Sequence, residues 1–190
     1  MDQDIVTIVS GLPRSGTSMM MRMLEAGGMP VLTDAIREAD EDNPEGYYEF
    51  EQVKQIETDK AWLEEAKGKA VKMVAALLKH LPPEYGYRIV FMRRNIEEVL
   101  ASQRQMLIRR GELTDRISDE RMAELFRKHV AQIEAWIAGQ ANLKTAYVDY
   151  GEVLANPVEE ARRINRFLGN RLDVERMAGV VDPSLYRQRR

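Results

Sequence analysis

Residues 9–18 read VSGLPRSGTS, between a short β-branched run at residues 5–9 and a stretch of helical composition at residues 17–26. Strand, glycine loop, helix is the setting of a phosphate-binding loop. There the backbone N–H groups and the helix dipole meet an anion together. The nucleotide version is written G-x-x-x-x-G-K-[ST], with the lysine reaching the terminal phosphates. Gly11, Gly16 and Ser18 are in register with that pattern, but Thr17 stands where the lysine belongs. A cation appears three positions earlier instead, at Arg14. Without the lysine a triphosphate loses a principal contact, whereas a guanidinium suits a planar oxyanion bidentately. Ser15, Gly16, Thr17 and Ser18 form the expected cradle, for an anion that is not a triphosphate tail.

The same alternation continues along the chain. Residues 70–74, 88–92 and 145–148 read as further strands. Residues 33–48 are acidic and rich in breakers, so they read as a surface loop, and 49–66 reads as a helix. A short helical piece at 77–81 is stopped by Pro82-Pro83. Asn95 begins a capping box with Glu98 reaching back, opening a helix to about residue 110. Between 118 and 138, Met122, Leu125, Phe126, Val130, Ile133, Trp136 and Ile137 recur at helical spacing and predict one wide apolar face. Asn156-Pro157 opens another helix, and a short helical stretch lies beyond residue 173. Strands alternating with helices predict an α/β fold: one P-loop-type domain over residues 1–190, its parallel sheet flanked by helices on both faces.

Bulk properties exclude several classes. The net charge of −3 argues against a nucleic-acid partner. With no cysteine, disulfides, zinc–thiolate sites and thiol nucleophiles are ruled out. The N-terminus is acidic rather than a basic leader, and no apolar run approaches the ~18 residues that span a bilayer. The expectation is a soluble cytoplasmic protein with no membrane partner.

PRSGTS after an apolar strand resembles the 5′-phosphosulfate loop of sulfotransferases that use 3′-phosphoadenosine 5′-phosphosulfate (PAPS). Its arginine variant is similar to that of tyrosylprotein sulfotransferases and many bacterial members. RIVFMRRNIEEVLAS resembles the family's 3′-phosphate segment: an apolar strand, Arg-Asn, then a serine eight residues after the arginine. That alignment selects Arg94 and Ser102. The position is physically apt, because Arg94 ends a strand where open α/β sheets bind ligands and Ser102 lies about two turns into the following helix. VDYGEVLANPVEEARRINRFLG is similar to a structural segment of the family and is assigned no chemistry. The resemblance runs from residue 5 to about 185 and is closest to short bacterial sulfotransferases.

The resemblance implies sulfuryl transfer from PAPS to an acceptor hydroxyl or amine, with adenosine 3′,5′-bisphosphate as product and no metal. The acceptor is a small molecule or peptide. Arg14 is the candidate for stabilising the sulfuryl oxygens and the leaving phosphate. Lys72, in the place of the family's lysine after the second strand, would share that work. The family's histidine base is missing, since Met73-Val74 fill its place. His80, in KHLPP, and His129 read as structural. Relatives carrying a glutamate after the first helix suggest Glu49 as the base, at the start of the following helix, with Glu51, Glu38 and Asp40 behind it. The family's closing Arg-Lys-Gly segment is also absent, and residues 187–190 offer only a basic tail. Two other classes stand beside this reading: a P-loop protein that binds a nucleotide without turnover, and a small-molecule kinase.

Overall fold

The computed structural model describes residues 4–34, 46–112, 117–182 and 184. Its framework is a five-stranded, wholly parallel sheet in the order β2-β3-β1-β4-β5. The strands are β1 (Ile5–Gly11), β2 (Val31–Leu32), β3 (Ala70–Val74), β4 (Gly86–Arg93) and β5 (Leu143–Asp149). Parallel strands in the middle of such a sheet are covered on both faces. In β1 every residue after Ile5 is accordingly buried. Its β-branched run forms the centre of the molecule, between β3 and β4.

One face of the sheet is covered by α1 (Thr17–Ala26), α5 (Tyr150–Ala155), α6 (Pro157–Phe167) and α7 (Val174–Gly179). Met20, Met21, Met23 and Leu24 of α1 pack there on Val9, Val90 and Met92. The other face is covered by α2 (Leu63–Ala66), α4 (Asp119–Ala138) and two 3-10 segments, Glu51–Gln55 and Ala75–His80. Its core includes Val6, Ile8, Val71, Met73, Ile89 and Phe91. Helices thus flank both faces of a parallel sheet, as the alternation of the sequence predicts. The remaining helix, α3 (Ile96–Arg109), follows β4 directly and lies beside α4.

Several local expectations are corrected. The helix predicted at 49–66 is broken into a 3-10 turn and the four-residue α2. The break has a local cause: the Asp59 carboxylate accepts from the Ala61 N–H at 2.9 Å, while the Thr58 and Asp59 N–H groups both return to the Gln55 carbonyl. Asn95 does cap α3, its side chain accepting from the N–H groups of Glu97 and Glu98 at 2.9 and 3.2 Å. Glu98 Oε2 accepts from the Arg94 Nε–H at 3.0 Å. On α4 only Ala123, Ile133 and Ile137 are buried, and Leu125 is exposed. The C-terminal half of that helix meets the sheet core, while Met122, Phe126 and Val130 of the other half are half-buried. The sequence reading passed over β2, which is two residues long, and α5, which Asp149 caps by accepting from Gly151 and Glu152 N–H.

Candidate active site

The strand order decides where a ligand can enter. From β1 the chain moves outward to β2, returns through β3 to β1, and then crosses to β4 on the other side. The connection leaving β1 runs through α1 over one face of the sheet, while those leaving its neighbours β3 and β4 run over the other through the Ala75–His80 segment and α4. They therefore diverge at a crevice beyond the C-terminal end of β1, the switch point where open α/β sheets bind ligands. The loop of residues 12–16 occupies that crevice.

Two positions set the loop's shape. Gly11, with φ of 150°, ends β1 so close to β4 that an added Cβ would lie 2.6 Å from the Met92 carbonyl oxygen. Gly16, with φ of 94°, is the left-handed N-cap of α1, and a Cβ there would sit 2.4 Å from the Tyr150 ring. Arg14 is also left-handed, with φ of 68°, a conformation that side chains rarely hold without support. Ser15 is buried and turns inward, its hydroxyl donating to the Leu12 carbonyl at 2.7 Å and its N–H to the same oxygen at 3.2 Å. Its side chain closes the loop. The first-turn N–H groups of α1, from Thr17 on, have no partner within the helix.

Three cations gather here: Arg14 within the loop, Arg94 just after β4, and Lys72 from the middle of β3. The Arg14 Nε–H donates to Ser102 Oγ at 3.0 Å, which joins the loop to α3. Arg94, the residue after β4, donates from Nη1 to the Arg14 carbonyl at 3.0 Å and from Nε to Glu98 at 3.0 Å. Its guanidinium lies 4.4 Å from the Tyr150 ring centroid. Burial pushes the Tyr150 hydroxyl above its ordinary value; the Arg94 charge opposes the rise, Glu98 adds to it, Arg14 opposes and Asp182 adds. Tyr150 is therefore a neutral ring at physiological pH, a fit partner for a cation over its face.

Lys72 rises from β3 beside β1, in register with Val9. Its ammonium donates to Ser18 Oγ at 3.3 Å and to the Tyr47 carbonyl, and faces a Glu49 carboxylate oxygen at 4.0 Å. Ser18 Oγ itself donates to the Tyr47 carbonyl at 3.3 Å. Glu49 precedes the 3-10 turn, which Phe50 caps, so it is not at a helix start. Lys72, rather than a helix dipole, is the positive group it faces. Its backbone carbonyl is held by Thr33 Oγ1 at 2.9 Å and the Asp34 N–H at 3.2 Å. Glu51 points elsewhere, its carboxylate paired with Lys54 at 2.5 Å.

Two guanidinium groups, an ammonium, hydroxyls and helix-terminal N–H groups thus gather on one crevice. Such a donor set fits a ligand carrying more than one phosphate-type anion. A sequence profile of the sulfotransferase domain matches residues 4–189. The chain belongs to the sulfotransferase domain family. No curated protein matches it by sequence.

Solved sulfotransferase structures share the fold. Mouse sulfotransferase SULT7A1 complexed with PAP is 18% identical, with a TM-score of 0.57 over 95% of this chain and 64% of that one. Sulfotransferase STF9 from Mycobacterium avium is 17% identical, with a TM-score of 0.54 over 94% of this chain and 68% of its own. Retinol dehydratase, in complex with androsterone and inactive cofactor PAP, is 16% identical, with a TM-score of 0.50 over 95% of this chain and 64% of that one. The domain spans about two thirds of these chains, and the likeness is one of fold.

Within this sulfotransferase domain, Arg14, Ser15, Gly16, Thr17 and Ser18 lie in the loop and first turn of α1, with Arg94 and Ser102 across it and Lys72 and Glu49 at its other side. Glu38, Asp40 and residues 187–190 lie outside the described residues. His80 closes a 3-10 segment and His129 lies midway along α4, both half-buried. The sequence reading missed Glu98 and Tyr150. Glu98 had a signal, four residues beyond Arg94 on a helix start. Tyr150 had none, since its part comes from packing against Gly16, far away in sequence. Among the described residues no cluster of three His, Cys, Asp or Glu side chains is placed to hold a metal, and no helix is long and apolar enough to cross a membrane.

Proposed function

We propose that this domain transfers a sulfuryl group from PAPS to the hydroxyl or amine of a small-molecule or peptide acceptor, in a cytoplasmic setting and without a metal. The observation that carries the reading is the bonded set Arg14–Ser102 and Arg94–Arg14 at the switch point of the sheet. It joins the phosphosulfate-type loop to the segment that resembles a 3′-phosphate site. PAP, the desulfated product of PAPS, is also present in two of the structures that share this fold.

When bound, PAPS supplies a sulfuryl group on a phosphate leaving group. The α1 N–H groups and the Thr17 and Ser18 hydroxyls would hold the 5′ anion, and Arg94 with Ser102 the 3′-phosphate. Arg14 and Lys72 bring two positive charges to the loop, where negative charge grows as the leaving group departs. Glu49 would take the acceptor's proton, and the Lys72 ammonium 4.0 Å from its carboxylate supports it in that task.

Calorimetric titration tests the reading. Adenosine 3′,5′-bisphosphate should bind without Mg²⁺ and more tightly than ADP or ATP, and Arg94→Ala should abolish the preference. Preference for ATP with Mg²⁺ would instead mark a kinase. With an acceptor in hand, Glu49→Gln should lower kcat about 10²- to 10⁴-fold while bisphosphate binding persists. Unchanged turnover in that variant would remove Glu49 from the mechanism.

A further inference from the structure

The resemblance assigns Arg94 to a 3′-phosphate, yet its guanidinium reaches the phosphosulfate loop itself. Nη1 donates to the Arg14 carbonyl and Nε to Glu98, each at 3.0 Å, and the guanidinium lies over the Tyr150 ring. Arg94 and Glu98 are nearly sealed from water, their side chains 9% and 6% exposed. Burying two charges costs about what their attraction returns, so stability alone is a poor reason for such a pair. Orientation is a better one, because a guanidinium fixed at Nε has its other donors aimed in defined directions.

The loop needs that support. Arg14 holds a left-handed backbone despite its side chain, and such a residue persists when its surroundings over-determine it. Arg94 fixes its carbonyl, and the Tyr150 ring under Arg94 also fills the space beside Gly16. The loop is thus braced at its middle, Arg14, and at its α1 end, Gly16, by one guanidinium and the ring it lies on.

We propose that Glu98 is a positioning residue for the phosphosulfate loop: by fixing Arg94 it holds Arg14 and Gly16 in their anion-binding conformation, before and apart from any contact with a 3′-phosphate. The ligand classes named below rest on the sulfotransferase reading; the bracing itself does not. Glu98 touches neither donor nor acceptor, and it acts through Arg94.

Two measurements on the full chain test this, with Glu98→Gln, which keeps the shape and removes the charge. The first is amide hydrogen exchange of the ligand-free protein. The Ser15 amide, which the loop holds on the Leu12 carbonyl, should exchange roughly tenfold faster than in the wild type; acceleration confined to α3 would mean a merely structural pair and overturn the proposal. The second is calorimetric titration with adenosine 3′,5′-bisphosphate and with adenosine 5′-phosphosulfate, which carries the 5′ anion but no 3′-phosphate. Both should weaken by a similar factor, about tenfold. Loss of bisphosphate affinity alone would place Glu98 in the service of the 3′-phosphate only, against the proposal.

Should Glu98→Gln not melt cooperatively, Arg94→Lys serves in its place, since a lysine keeps the charge but cannot hold Glu98 and the Arg14 carbonyl in one rigid fork. The same acceleration and the same paired weakening are expected. The exchange measurement needs no nucleotide. Wild-type protein that ignored the bisphosphate would therefore sink the PAPS reading, while the bracing by Glu98 would still be decided by exchange.

Discussion

Gly16 carries two constraints at once, a left-handed backbone and a phenol ring where a side chain would begin. Gly16→Ala must strain the backbone and push Tyr150 from beneath Arg94. The expected cost is about 1–3 kcal/mol of stability for the backbone strain, together with loss of bisphosphate binding, read by melting and calorimetry on the same sample. Retained binding would show that the loop can reshape around a methyl group. Arg14, Ser18, Arg94 and Ser102 were legible in the sequence because a loop and a strand end impose fixed spacings on the residues that serve them. Glu98 and Tyr150 were not legible as part of the site. A carboxylate three residues after an N-cap reads as half of a capping box until the arginine beside it is seen bending back. A tyrosine after a strand reads as core until a glycine more than a hundred residues earlier is found against it.

The start of α3 is the element on which the site turns, since Asn95 caps it between Arg94 and Glu98. Asn95→Ala removes the acceptor for two N–H groups and should cost about 1 kcal/mol. In a domain of this size that lowers Tm by about 2–4 °C, and a scanning calorimeter would register it. No change would mean that the β4 register holds the turn unaided. The elements that the sequence displays well are those with a single strong local cause: the β-branched β1, the capped α3, and α6 with its opening proline. The elements that it hides have competing causes. Residues 49–66 have helical composition, but an Asx turn at Asp59 interrupts them. The stripe on α4 is continuous, yet only half of it reaches the sheet.

Over the whole molecule, buried phenols make stability depend on alkaline pH. Burial raises Tyr87, inside the sheet core, and Tyr150, beside the loop, above the ordinary tyrosine value. A raised folded value means that the unfolded chain releases its proton first. The stabilisation is therefore whole below a pH of about 10 and is lost as pH climbs from there through the folded values. Circular dichroism against pH should show the onset of unfolding above that point, and Tyr87→Phe should move it upward. A variant that unfolds at the same pH would exclude Tyr87 as a cause. The parallel α/β class was legible because alternation of strands and helices admits few topologies; the strand order was not, since nothing local tells β1 that its neighbours are β3 and β4. That order bears on how the protein is made. The middle strand leaves the ribosome first among the strands, but its partners begin at Ala70 and Gly86. At ~5–20 residues per second, an apolar strand waits on the order of ten seconds for both neighbours to emerge. Throughout that interval it is a target for chaperones, and the nascent chain cannot join Arg14 to Arg94 until that arginine and its helix have emerged.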